Sequence, residues 1–184
     1  MKNKTTFSAS LTFTFVLFII LNSFGQTPTK TAIANGRWST ASVWSPSGVP
    51  TATDNVLIPN GRTVSIRSNA ACNSLTVGTG ASGMLEFRRN TASILTVSNN
   101  ITINPNGTFR VRNTSNTTHT LAVSGNIINN GTLDFAIDAN SFCHANFLRN
   151  GNQTISGTGT LTRFYLMQLK LLLKNLKTIF LLQE

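Results

Sequence analysis

Gly83-Met84-Leu85-Glu86-Phe87-Arg88 returns as Gly107-Thr108-Phe109-Arg110-Val111-Arg112, and again as Gly131-Thr132-Leu133-Asp134-Phe135-Ala136. Each copy begins 24 residues after the last, and apolar positions alternate within it. A fixed interval of this size marks a stacked repeat. Further short alternations lie between the copies: Leu95-Thr96-Val97, Ile101-Thr102-Ile103, Leu121-Ala122-Val123 and Ile127-Ile128. Ser98-Asn99-Asn100, Asn104-Pro105-Asn106-Gly107 and Asn129-Asn130-Gly131 separate them as turn-forming clusters. Three short strands and three turns per repeat predict an all-β chain, a right-handed parallel β-helix with rungs of about 24 residues. An antiparallel sandwich also uses short strands with Gly/Asn turns, but nothing obliges its strands to keep step.

Stacking puts like positions in columns. Leu85, Phe109 and Leu133 form one inner column, and Phe87, Val111 and Phe135 another. Gly83, Gly107 and Gly131 share a turn position, where a backbone with φ > 0 is expected. Glu86, Arg110 and Asp134 alternate in charge on the outside. At about 4.8 Å per rung they are expected to form an exposed ion-pair ladder contributing about 0–1 kcal/mol per pair. Leu75-Thr76-Val77, Val64-Ser65-Ile66 and Gly159-Thr160-Leu161 extend the plan outward with a looser fit.

The two ends differ from this body. Lys2 and Lys4 precede an apolar run from Leu11 to Leu21, and Ser23-Phe24-Gly25 offers small residues for cleavage before Gln26. Residues 1–25 therefore read as a secretory signal peptide, too short for a membrane span of about 20 residues. The chain is expected to be secreted or held at the cell surface. Residues 26–163 form the β-helical domain, with an N-terminal cap at about 35–58. From 164 to 184 the Gly, Asn and Thr give way to Leu, Ile, Phe and Lys, and Lys170, Lys174 and Lys177 recur at helical spacing. Three readings of this tail stand together: the end of a truncated or frame-shifted reading frame, a helix that caps the stack, or a basic amphipathic helix at a membrane surface.

The 184 residues carry a net charge of +10, with only 11% charged side chains. Within the body ten Lys/Arg stand against Asp54, Glu86, Asp134 and Asp138, a net of +6. The arginines are scattered along strands without a basic run or interleaved aromatics, so nucleic-acid binding is not expected. A mildly cationic face that meets acidic polysaccharide is. Cys72 and Cys143 lie 71 residues apart, about three coils. That places them about 14 Å apart by strand spacing, beyond the roughly 7 Å reach of a disulfide. Two buried thiols are expected.

Catalytic chemistry finds little purchase. Asp134 and Asp138 are the closest carboxylate pair, but the ladder and an Asn/Ser-rich turn account for them. His119 reads as a turn residue, and His144 beside Cys143 lacks a second ligand pair, so no metal or cofactor is expected. The chain has neither a Gly-x-Ser-x-Gly elbow nor a phosphate-binding Gly-Lys-Ser/Thr.

The N-terminal part is not repetitive. Trp38-Ser39, Trp44, Gly48-Val49-Pro50, Asp54-Asn55-Val56-Leu57-Ile58, Asn60-Gly61 and Thr63-Val64 follow in order. Two large aromatics ahead of the first strand would close the first rung against water, and the Asp54 carboxylate would accept backbone N–H groups in its turn. This order resembles the start of the eight-glycine extracellular domain family and of Bacteroidetes-type secreted, pectin-lyase-like β-helix surface proteins. The match runs from Asn35 to about Phe87. The resemblance implies an extracellular β-helical module at the front of a larger adhesin or glycan-active protein. The expected function is non-enzymatic adhesion or glycan contact, with a fragment of a polysaccharide lyase or hydrolase as the alternative. Candidate binding residues are Trp38 and Trp44, as sugar-stacking rings, and Arg110 and Arg112, as outward cations; the partner is a polysaccharide or cell-surface glycan.

Overall fold

The computed structural model describes residues 29–88, 90–112, 116–149, 151–166 and 179–181. The signal-peptide reading of residues 1–25 and the lysines of the tail lie outside them. The chain winds as successive coils of three strands. The first holds β1 (Thr29–Ala32) and β2 (Gly36–Arg37); a segment with a 3-10 turn at Ala41–Val43 and β3 (Trp44–Ser45) follows in place of a third rung strand. Next come β4 (Asn55–Ile58), β5 (Thr63–Ile66) and β6 (Ala70–Cys72). The third coil is β7 (Ser74–Val77), β8 (Met84–Phe87) and β9 (Ile94–Val97). The fourth is β10 (Ile101–Ile103), β11 (Thr108–Val111) and β12 (Thr118–Val123). The fifth is β13 (Ile127–Asn129), β14 (Thr132–Asp134) and β15 (Phe142–Phe147). The last has β16 (Gln153–Ser156), β17 (Thr160–Thr162) and β18 (Tyr165–Leu166), after which β19 (Ile179–Leu181) rejoins the stack. From β4 onward each strand pairs in parallel with its counterparts one coil away, giving among the described residues three sheets of eight, six and five strands; β3 instead pairs antiparallel with β1. The fold is a parallel β-helix.

The predicted columns are in place: Leu85, Phe109 and Leu133 are register partners, as are Phe87 and Val111. All five are buried, and so is Phe135. Phe87, Phe109, Phe135 and Phe164 run through the interior as an aromatic ladder with centroids 5.8, 5.0 and 5.4 Å apart. Such contacts add about 0.5–1.5 kcal/mol each beyond the area they bury. The constant interval of 24, by contrast, belongs to one face of the middle coils. On the neighbouring face Leu75, Ile101 and Ile127 are 26 apart, while Val56 and Leu75 are only 19 apart. Turns absorb the difference, because strand register depends on inward alternation and leaves loop length free.

Asparagine side chains tie the turns of successive coils. Asn100 Oδ1 accepts the Asn126 N–H at 2.8 Å, and Asn126 Oδ1 accepts the Thr154 N–H at 3.1 Å. Asn60 Oδ1 takes the N–H groups of Thr79 and Ala81. A turn leaves backbone groups that no strand can pair, and a short amide side chain supplies the missing partner.

Several expectations need correction. Gly83, Gly107 and Gly131 are not at positive φ; Gly61, Gly78 and Asn106 are. The three glycines are needed for close approach between coils: a Cβ on Gly107 would lie 2.4 Å from Val77 O, and one on Gly131 2.3 Å from Gly107 O. His119 lies within β12 and is buried against Phe87, with ring centroids 4.7 Å apart. The stack begins at β1, whose Thr29–Thr31 pair in parallel with Asn55–Leu57 of β4. The non-coil segment runs from 38 to 54, and β4 is an ordinary rung strand. Where the tail is described it is strand: β18 continues from β15 and β19 from β16, which departs from the helical reading at those residues. Phe164 is half-buried and packs on the core.

Cys72 and Cys143 are free and buried. Burial, helped by the charge of Asp54, pushes the Cys72 thiol up to about 12, and burial raises Cys143 well above its ordinary value. Both therefore remain protonated and unreactive in the fold. Among the described residues no helix is long and apolar enough to cross a membrane.

Candidate functional site

The outward column of the six-stranded sheet reads Arg37, Ser65, Glu86, Arg110, Asp134, Thr162 across six coils. One residue beyond the ends of β5 and β8 the ladder continues, because Arg88 N–H donates to Ile66 O and Arg112 N–H to Phe87 O. Arg67, Arg88 and Arg112 thus follow Ile66, Phe87 and Val111 as a second column beside the first. Alternation turns the apolar member of each pair inward and releases the arginine at the corner.

Glu86 is the centre of this face. Its side chain is fully covered, although its position points away from the core. Arg110 donates to Oε2 through Nη2 at 3.1 Å and Nε at 3.3 Å, and Arg88 Nη1 lies 3.5 Å from Oε1. Arg112 Nη1 stands 3.9 Å from Oε2. The guanidinium groups cover the carboxylate and remain 31–54% exposed themselves. The expected Glu86–Arg110 pair is present, but it is not an exposed rung: Glu86 is buried under three arginines, and Asp134 pairs with Arg163 at 2.6 Å rather than with Arg110.

This arrangement is unequal in its two partners. Arg110→Met is expected to cost about 2 kcal/mol, since it leaves a covered carboxylate with two longer contacts. Glu86→Leu should cost less, because guanidinium groups already half in water swing free and an apolar side chain fits beneath their stems. Urea unfolding of the two variants measures the difference.

Among the described residues, Arg37, Arg67, Arg88, Arg110 and Arg112 stand against Glu86 on this face, four net positive charges over four coils. At about 4.8 Å per coil they span about 14 Å. Planar donors held at this spacing suit a row of carboxylates or sulfates. The sequence pointed to Arg110 and Arg112. It missed Arg37, Arg67 and Arg88, although Ile66-Arg67, Phe87-Arg88 and Val111-Arg112 carry one recurring apolar–arginine signature.

The tryptophans are placed otherwise than a stacking role requires. Trp38 and Trp44 are 2% and 1% exposed and meet edge to face, 5.1 Å between centroids. Trp44 Nε1 donates to Trp38 O at 2.9 Å. Neither ring face is open to a sugar, because the segment from 38 to 54 folds back over the first coil. They also lie behind β1 rather than ahead of it. Asp54 accepts both the N–H and the hydroxyl of Thr51 at 2.8 Å, as its turn position suggested.

The carboxylates weighed for catalysis are engaged elsewhere. Arg163 grips Asp134 through Nε at 3.1 Å and Nη2 at 2.6 Å. Asp138 Oδ1 accepts the N–H groups of Asn140 and Ser141. Among the described residues no three His, Cys, Asp or Glu side chains gather as metal ligands would.

No curated protein and no solved structure matches the chain. Residues 29–149, more than half its length, match the family model described as a domain of unknown function (DUF8693), and the chain belongs to that family.

Proposed function

We propose that this β-helix is a non-enzymatic, exported surface module that holds acidic polysaccharide against the arginine face. The carrying observation is the register of Arg67, Arg88 and Arg112 beside Arg110, on consecutive coils of one stack. The buried Glu86 fixes the stems of Arg88, Arg110 and Arg112 in place, so less side-chain entropy is lost when an anionic chain binds. Each contact is weak, and repetition along the axis supplies the affinity. The resemblance of the N-terminal part to secreted β-helix surface proteins supports the same reading.

The chain is expected to be retained on immobilised polygalacturonate and on dextran sulfate at low salt, and to pass through neutral dextran. Retention should fall steeply with ionic strength, as screening shortens the reach of the charges. Arg88→Ser with Arg112→Ser removes two exposed cations and should lower affinity about tenfold or more, with little loss of stability. Equal retention of this double variant would refute the reading.

A further inference from the structure

The segment from 38 to 54 leaves a cleft of about 380 Å³ over the first two strands of the five-stranded sheet. Ala71 and Thr96 are register partners on the outward side of β6 and β9 and form its floor, with Ala70 beside them. Trp38 and Ser39 line it from one stretch of the segment, Val49 and Pro50 from another. Asn69 completes the lining, its Oδ1 engaged by the Ile94 N–H at 3.0 Å. The size falls at the small end of ligand sites, roughly 300–1,000 Å³.

Two features of the cleft bear on its ligand. None of the described residues that line it is charged. Trp38 Nε1 is buried without a hydrogen-bond partner, whereas the Trp44 indole is satisfied. A buried donor left unpaired is costly, and an acceptor that reaches it gains more than it would from a solvated group. Val49, Pro50 and Ala71 offer an apolar wall, and Ser39, Thr96 and the Asn69 amide offer donors and acceptors around it. That mixture suits a ring with one C–H face and a rim of hydroxyls.

We propose that this cleft binds a neutral sugar ring, with a ring or hydroxyl oxygen accepting from Trp38 Nε1. The site shares no residue with the arginine face, so either assignment can fail alone.

The chain has only two tryptophans, and both belong to the segment that forms the cleft. Their indole N–H resonances in a ¹⁵N-labelled sample therefore report on the cleft directly. The methyl glycosides of glucose, galactose, mannose and N-acetylglucosamine are added in turn, together with an extended Thr/Val hexapeptide. At least one glycoside is expected to move the Trp38 resonance saturably, with half-saturation on the order of millimolar. Trp44 should move less. Ala71→Leu fills the floor from its outward side and should abolish the shift, and Thr96→Val should weaken it. Arg88→Ser with Arg112→Ser should leave it unchanged. No saturable shift with any of the four glycosides would overturn the proposal. So would a shift that survives Ala71→Leu in folded protein, or one produced by the hexapeptide alone.

Discussion

Gly131→Ala is expected to destabilise the fold by about 3 kcal/mol or more, the upper range for overpacking. An added Cβ would sit 2.3 Å from Gly107 O, 2.5 Å from Asn104 O and 2.9 Å from Ile103 Cγ2. The two oxygens belong to the backbone of the coil beneath, so no rotamer change relieves the contact. The coils would have to separate. Separation would in turn stretch the bond that Thr132 N–H makes to Gly107 O at 2.9 Å. Gly61→Ala supplies the contrast. Gly61 has φ +70°, and a methyl group added there would meet nothing within 4 Å, so its cost is left-handed strain alone. That strain amounts to about 1–2 kcal/mol. Urea unfolding of the two variants separates the mechanisms. A Gly131 variant no less stable than the Gly61 variant would show that the coils are not packed this closely.

Acid should loosen the protein through His119. The imidazole is fully buried, stacked on Phe87, and its Nδ1 accepts the Ser93 N–H at 3.2 Å. Burial lowers its pKa from 6.5 to about 4. As pH falls below about 6.5 the unfolded chain takes up a proton that the folded chain refuses until about 4. Stability is therefore full above that window, declines through it and levels off below. The loss from this group amounts to about 3 kcal/mol. Unfolding midpoints measured from pH 7.5 to 4 should trace the decline. His119→Phe should flatten it, whatever the variant's absolute stability, since the Ser93 N–H loses its acceptor at every pH. A slope unchanged in that variant would assign the acid sensitivity to other groups.

Much of the architecture was legible along the chain. Leu85, Phe109 and Leu133 recur at one interval because each must face the same interior, and inward alternation in a strand is a local property. Asn-Gly and Asn-Pro clusters mark turns by local chemistry as well. What the linear reading misplaced depended on neighbours from other coils. His119 sits among polar residues in sequence and looked like a turn, yet its partners are Phe87 and Ser93, a coil away. The glycine column looked like a demand for positive φ, whereas the true constraint is another coil's carbonyl. Ala70–Cys72 and Phe142–Phe147 became strands through pairing with β9 and β12, against weak local pattern.

The candidate site was visible only in part, for the same reason. Arg110 and Arg112 stand out within one repeat, but a charge count along the chain made the arginines look dispersed. Stacking brings residues 21 or 24 apart to neighbouring positions and gathers Arg67, Arg88 and Arg112 on one corner. It also buries Glu86, which no inspection of Leu85-Glu86-Phe87 reveals, because the covering groups arrive from Arg88, Arg110 and Arg112 together. The two tryptophans were recognised as a distinct signature, but the path of 38–54 over the first coil decided that their faces are closed. From the sequence alone came the parallel β-helix, since periodic burial is encoded residue by residue. Only the tertiary structure decided which charges meet and which rings are sheltered, because electrostatics and access depend on distances between coils that the chain order does not contain.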